Sequence, residues 1–417
     1  MVTSAIWPKL DYSRVPYRFY HDPAIYQLEQ ERIFRGTTWS LIGLEAEIPN
    51  PGDFRTSYIG EVPIVFNRDG AGEIKAFVNL CSHRGAIVRR EVSGNATDHT
   101  CIYHQWCFAH DGSLLGVPFR RGVNGKGGYD DKTFDPAERG LRKVRIGSVF
   151  GVLFGTLSDE AEPLERYLGD AILGFLKRIF DKPVQVLGYH RQRIRGNWKG
   201  FAVNPRDNYH AGLLHDFFRI FGLDRPTQAG GATMDARHRH CVTWGRAGSD
   251  TDEFAREQYG RGDGLELAEP AIVDFRQERS DDLNLAIVSI FPNCVVAQIA
   301  NSFATRQIRA RGPDYYEIFQ TILGYADDSP DMTRHRLRQA NLVGPAGLVS
   351  MEDGEACEIQ HRATKGLSND PRAAEFLELG GGGELGDRDY RVTDVTVRGF
   401  WSYYAEMLGI EPEGALR

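Results

Sequence analysis

The sequence has no long apolar run. Nowhere in its 417 residues do apolar side chains approach the roughly 20 in succession that cross a bilayer, so no membrane span is expected. It has no surplus of positive charge: 57 acidic residues against 50 basic ones leave a net −7, which argues against nucleic acid or an anionic membrane as the main partner. Cysteine is scarce. The six, at 81, 101, 107, 241, 294 and 357, are scattered, a pattern of a reducing compartment and not of a disulfide framework. The opening stretch MVTSAIWPKLDYSRVPYRFY lacks the continuous apolar core of an export signal, so a mature cytoplasmic chain is expected. Internal repeats are absent, as is a G-x-x-x-x-G-K-[ST] phosphate loop. At 41% hydrophobic and 26% charged, the composition is that of a soluble globular protein. The length exceeds one ordinary core, so two domains are expected.

Two of the scarce cysteines sit beside histidines. Cys81 and His83 form a C-x-H pair, and Cys101 and His104 form a C-x-x-H pair, with seventeen residues between. Each pair offers one thiolate and one imidazole. A Rieske [2Fe–2S] centre needs that set: two thiolates on one iron and two imidazoles on the other. A Cys₂His₂ zinc site is the competing reading, but zinc fingers group C-x-x-C and then H-x₃₋₅-H, whereas each pair here mixes the two. Cys107, Cys241, Cys294 and Cys357 read as packed thiols.

Asp22-Pro23 predicts a helix start, with the helix running through AIYQLEQERIF. From Trp39 to about Leu157 short β-rich runs recur (WSLIGL, FRTSYIG, VPIVFNRD, IKAFVNL, CIYHQWCF, SVFGVLFGTL), punctuated by Gly, Pro and Asp. A small antiparallel domain with the metal pairs on two loops is expected there. The Gly-rich stretch from 116 to 132 reads as a surface loop. Beyond it, the pattern predicts a helix over 164–180, a strand over 184–194 and a helix-rich stretch from Trp198 to Gly222. Residues 230–273 read as loops and edge strands. One or two central strands are expected over 283–304 and another over 315–325. Helices are expected over 332–342 and 398–408, with a flexible Gly-rich loop at 379–384.

The stretch NPRDNYHAGLLH places Asp207, His210 and His215 within nine residues. A mononuclear iron that activates dioxygen takes two His and one carboxylate on one face and leaves the other positions open. Residues five apart on a regular helix point about 140° from one another. The two histidines share a metal only if the helix widens or bends between them. The third ligand must then be a distant carboxylate. GPAGLVSMEDGEACE offers Glu352, Asp353, Glu355 and Glu358, and spacing does not choose among them.

Together these motifs, C-x-H-x₁₇-C-x-x-H, N-W-K, D-x-Y-H-x₄-H and G-P-A-G with its acidic sequel, resemble the α subunit of an aromatic-ring-hydroxylating Rieske non-haem iron oxygenase over essentially the whole chain. The resemblance implies an α+β fold. A Rieske all-β [2Fe–2S] domain (39–157) is inserted in a helix-grip catalytic domain with an antiparallel sheet (1–38 and 158–417). It implies Cys81, His83, Cys101 and His104 as cluster ligands, and His210, His215 and Asp353 as ligands of Fe(II). Asp207 is implied to bond a cluster histidine of a neighbouring subunit and an iron-ligand histidine, which makes the active unit an α3 or α3β3 ring with a small β subunit. Ferredoxin or a reductase delivers the electrons, with NAD(P)H used only indirectly. One departure stands out. Where family members often read N-W-K-L-x-x-E-N, this chain reads NWKGFAVN, with Gly200 and Val203 in place of Leu and Glu.

Phrases such as GLEAEIPNPGDF, GVPFRRGV, DNYHAGLLH, QANLVGPAG and VRGFW resemble oxygenases of aromatic acids, namely those of terephthalate, salicylate, anthranilate, halobenzoate and chlorophenoxyacetate. An aromatic acid needs a cation in an otherwise apolar pocket, and Arg supplies a bidentate fork. Arg306 and Arg398 are the expected substrate-binding cations, with Thr243 as a hydroxyl partner. The expected activity is O₂-dependent hydroxylation of an aromatic carboxylic acid, to a cis-dihydrodiol or, as a ring monohydroxylase, to a phenol. A Rieske electron carrier without its own substrate is the alternative from another class, and the length argues against it.

Overall fold

The computed structural model describes residues 11–130, 132–248, 265–368, 376–380 and 383–410. Parts of the loops expected at 116–132, 230–273 and 379–384 therefore lie outside the described residues. The chain forms two compact units, one of them Phe34–Ala161 and the other built from the chain before and after it.

Phe34–Ala161 consists of three antiparallel sheets. Ser40–Leu44 joins the hairpin Arg145–Val149 and Val152–Thr156. Ile74–Val78, Val62–Arg68, Asp53–Ile59 and Ser93–Asn95 form a second sheet. His99–Thr100, Cys107–Phe108 and Leu114–Gly116 form a third. SVFGVLFGTL is thus two strands, folded at Phe150 and Gly151, which both adopt the positive φ that a tight hairpin turn requires. CIYHQWCF is strand only at its last two residues. The chain turns at Cys101–Gln105, with Gln105 at φ 58°, and leaves Ile102 and Tyr103 on the surface. The apolar letters that suggested a strand belong to a loop tip. The core comprises Phe54, Val65, Phe77, Trp106 and Phe108 and includes both Cys81 and Cys101.

In the second unit seven antiparallel strands form one sheet: β1 (Val184–Ile194), β2 (Gly230–Met234), β3 (Cys241–Arg246), β4 (Leu283–Ile290), β5 (Cys294–Ile299), β6 (Ser302–Ala310) and β7 (Tyr316–Tyr325). Their order is β1-β7-β6-β5-β4-β3-β2. Every residue of β5 and β6 is buried, the polar Gln298, Thr305, Arg306, Gln307 and Arg309 included, because both strands lie inside the sheet with a neighbour on each side. The stretch 283–304 holds two strands and opens a third. Ala300, at φ 51°, and Asn301 make the hairpin without the Asn-Gly signal that marks such turns.

Among the described residues the helices of this unit are α1 (Arg18–His21), α2 (Pro23–Glu29), α3 (Leu164–Ile179), α4 (Trp198–Val203), α5 (Asn208–Leu214), α6 (Asp216–Ile220), α7 (Pro330–Val343), α8 (Leu348–Lys365) and α9 (Val395–Leu408). Asp22 caps α2 through Ala24 N at 2.8 Å, as Asp-Pro predicts, but the helix then widens into a π turn at Gln30–Phe34. The N-W-K motif locks three helices together. Buried Glu29 of α2 accepts from Trp198 Nε1 at 2.7 Å, Lys199 Nζ at 2.5 Å and Tyr404 of α9. Asn197 caps α4 and also accepts from Lys199 Nζ at 2.6 Å. A side chain at Gly200 would meet Cys357 of α8 at 3.6 Å, so α4 lies close on α8. No described helix is long and apolar enough to cross a membrane.

Candidate functional site

His210 and His215 are brought together by a break in the helix. Asp207 ends the preceding 3₁₀ turn and caps α5, its Oδ1 accepting from the N–H of Tyr209 at 2.8 Å and of His210 at 3.2 Å. After seven residues α5 stops, and His215, at φ −89° and ψ 75°, is the hinge into α6. The chain bends at the second histidine and does not widen, and the five-residue spacing is accommodated that way. The acidic stretch forms α8, and its Asp353 meets both rings. Asp353 Oδ1 lies 3.5 Å from His210 Nε2 and 3.3 Å from His215 Nε2. Ligand atoms of these three residues lie within 4.8 Å of one another.

The opposite edges of both rings also face carboxylates. His215 Nδ1 donates to Glu352 Oε2 at 2.7 Å, and His210 Nδ1 lies 3.3 Å from Asp207 Oδ2. A carboxylate at Nδ1 fixes the tautomer and leaves the Nε2 lone pair for a metal. Asn204, which the sequence reading passed over, donates Nδ2 to Asp353 Oδ1 at 3.1 Å. Glu358 accepts from Arg195 N at 2.8 Å instead. Three carboxylates around two imidazoles leave a surplus of negative potential. Burial works against an imidazolium at His210, yet Asp207 and Asp353 lift its pKa to about 10. Burial pushes Asp353 up, but its bonds to His210 and His215 outweigh that and hold it well below the usual carboxylate range. A divalent cation at the centre suits this donor set in charge and ligand type.

Beside the three residues lies a cavity of about 40 Å³, lined by Thr243, Phe218, Leu285, Ile287, Arg306 and Asp224 among others. That volume holds a few waters, so a ring enters only as the side chains shift. Arg306, on β6, is 3% exposed, and its Nε and Nη2 have no hydrogen-bond partner. Burial lowers its pKa and the Asp353 charge opposes that. Thr243 Oγ1 lies 3.5 Å from Pro205 O. Arg398 is not brought here. It sits in the first turn of α9 and borders a separate hollow, where its Nε donates to Asp11 O at 2.8 Å and its Nη2 to Gly383 O at 3.1 Å. Asp224 was not foreseen, since nothing in FGLDRPT marks it. It pairs with Arg391 through one oxygen, while its buried Oδ2 has no partner.

In Phe34–Ala161 the two metal-pair loops match. The N–H of Gly85 donates to Cys81 O and that of Gln105 to Cys101 O, both at 2.9 Å. The N–H of Cys81 donates to Ala86 O and that of Cys101 to Trp106 O, both at 2.8 Å. Gly85 and Gln105 each take a positive φ. The His83 and His104 rings are 4.5 Å apart, and His83 stacks on Trp106 at 4.7 Å. No three of the four ligand atoms lie within 4.8 Å of one another. Tetrahedral zinc would hold all four less than about 4 Å apart, whereas a two-iron cluster needs the wider spread.

An electron-transfer domain joined to a unit with a two-histidine, one-carboxylate site defines a class, the oxygenases that activate O₂ at one iron with electrons from another centre. The comparisons narrow it. Residues 38–125 match the Rieske [2Fe-2S] domain, and residues 182–409 match the catalytic domain of the ring hydroxylating alpha subunit. The chain is 43% identical over 407 residues to the anthranilate 1,2-dioxygenase large subunit of Burkholderia cepacia, covering 97% of this chain and 95% of the relative. It is 41% identical to the terephthalate 1,2-dioxygenase terminal oxygenase component subunit alpha 2 of Comamonas sp, covering 97% and 98%. Among solved structures, naphthalene 1,2-dioxygenase from Rhodococcus sp. superposes with a TM-score of 0.77 at 25% identity, covering 95% and 94%. The chain belongs to the ring-hydroxylating α-subunit family. It is therefore a Rieske-type dioxygenase with a [2Fe–2S] cluster and a mononuclear iron, acting on an aromatic substrate with O₂ and electrons from ferredoxin or a reductase. The match over 182–409 and the second metal-binding constellation set aside the bare electron carrier.

Proposed function

We propose that this chain is the terminal oxygenase for an aromatic carboxylic acid, with the carboxylate held by Arg306. One observation carries the reading: a buried guanidinium with two unpartnered nitrogens lines the same cavity as His210, His215 and Asp353. An unpaired buried cation is costly, and a substrate carboxylate supplies the bidentate partner that the protein does not. Phe218, Leu285 and Ile287 take the ring, and Thr243 offers a hydroxyl. Asp224 Oδ2 needs a donor, which favours a ring that also carries an amino or hydroxyl group. Anthranilate, named in the Burkholderia cepacia relative, and salicylate, named in the large oxygenase component of a Ralstonia salicylate 5-hydroxylase, have that pattern.

Cys81, Cys101, His83 and His104 hold the cluster, within a domain we place at 39–157, and His210, His215 and Asp353 hold the iron. When bound, the cluster supplies electrons one at a time and the iron supplies the site of dioxygen activation. The protein's own part is positional. Glu352 and Asp207 orient the imidazoles, Arg306 orients the ring, and the apolar wall excludes water. Asp207 joins His210 to a cluster histidine of the neighbouring subunit, so the active assembly is a closed α3 ring, or α3β3 with a small β subunit. The test is turnover by the holoenzyme of 2-aminobenzoate, 2-hydroxybenzoate, benzoate, benzene-1,4-dicarboxylate and naphthalene, with product analysis. The first two are expected to be the best substrates. Turnover of naphthalene alone would overturn the reading.

A further inference from the structure

Among the described residues one other cluster brings metal-ligating side chains together. His21 ends α1, Asp314 lies in the loop between β6 and β7, and His361 lies on α8, eight residues beyond Asp353. One ligand atom of each lies within 4.8 Å of the other two. His361 Nε2 is 3.1 Å from Asp314 Oδ1, and the His21 and His361 rings pack with centroids 4.4 Å apart at a tilt of 47°. His21 is 9% exposed and His361 8%. In both rings the buried Nδ1 has no hydrogen-bond partner, and His21 Nε2 has only Thr364 Oγ1, at 2.8 Å. Two packed imidazoles with unanswered nitrogens are an unfavourable way to bury polar atoms unless something else binds them.

We propose that His21, Asp314 and His361 form a second metal site that takes a zinc-class divalent cation. Two imidazole nitrogens and one carboxylate suit zinc, cobalt, nickel or copper, and are too few and too soft for calcium or magnesium. Burial holds both imidazoles below their ordinary range; at His21, held at about 4, the His361 ring adds to it, and at His361 the Asp314 carboxylate opposes it. Two cations face the site. Lys199 is fixed to Glu29, while Lys365 Nζ rests 2.6 Å from Asp314 Oδ1 and must swing aside. Its side chain is 54% exposed and that of Asp314 53%, so the lysine is free to move and water reaches the remaining coordination positions. The ion would clasp α1 and the β6–β7 loop to α8, the helix that carries Asp353. This proposal does not rest on the substrate assigned above.

The test is metal analysis of the holoenzyme after equilibration with zinc chloride and desalting. One zinc per chain is expected to be retained with the iron count unchanged, and zinc is expected to raise the thermal unfolding midpoint. His361→Ala should lose both effects and keep its iron. Asp314→Ala, at a half-exposed position that carries no fold risk of that kind, should do the same. Absence of retained zinc, zinc gained only as iron is lost, or zinc retained equally by wild type and both variants would each overturn the proposal.

Discussion

Arg306 and Arg398 stood as equals in the sequence, each in a stretch resembling aromatic-acid oxygenases. The fold separates them. Arg306 lines the cavity and has two buried nitrogens without a partner, while Arg398 donates to two backbone carbonyls elsewhere. Arg306→Leu should weaken binding of a carboxylated substrate by about 2–5 kcal/mol, seen as a higher dissociation constant with iron content unchanged. Arg398→Leu should change stability and leave any binding loss equal for acids and neutral rings. At the metal site, Asp353→Ala should lose the mononuclear iron while the cluster spectrum stays. Iron retained in that variant would move the ligand to another carboxylate. Motif spacing made the histidines legible. It did not reach Asp224 or Asn204, because a lone Asp or Asn carries no pattern until folding places it beside the site.

At the scale of elements, the strongly patterned pieces were legible and the turns were not. Asp22-Pro23, the β1 run and the helix at 332–342 all follow local rules, whereas the Ala300-Asn301 hairpin and the loop inside CIYHQWCF depend on backbone conformations no residue there advertises. The α5–α6 break is likewise fixed by packing. A side chain at Gly212 would come within 2.4 Å of the Pro226 ring. Gly212→Ala should therefore displace α5 at a cost of about 1–3 kcal/mol and lower bound iron, measured against an unchanged cluster spectrum. The Glu29 network has a different signature. Lys199→Met leaves the Glu29 carboxylate buried without its cation, and should destabilise the protein by about 3–5 kcal/mol in urea unfolding. Loss of iron without loss of stability would contradict that assignment.

For the molecule as a whole, buried His240 links stability to pH. Its Nδ1 accepts from Phe291 N at 3.0 Å and its Nε2 donates to Tyr167 O at 2.9 Å, and burial, with Arg239 and Arg206, holds its pKa well below the ordinary value. The unfolded chain therefore takes up the proton first as pH falls. This contribution is complete above about pH 6.5 and declines below it by up to about 1.4 kcal/mol per pH unit. Urea midpoints of wild type and His240→Gln should converge as the pH falls from 7 towards 5. Assembly is tested at Asp207. Asp207→Asn keeps an acceptor for the α5 cap, and Asp207→Ala removes it at about 1 kcal/mol. Both should keep iron, cluster and substrate binding, and Asp207→Ala should fail to turn over. An active monomer would contradict the ring. The most direct measurement is the dissociation constant of the holoenzyme for a carboxylated ring and its uncharged amide, in wild type and Arg306→Leu. The account predicts that wild type prefers the acid by at least about 30-fold and that the variant loses that preference. An undiminished preference in the variant would place the carboxylate elsewhere and contradict it.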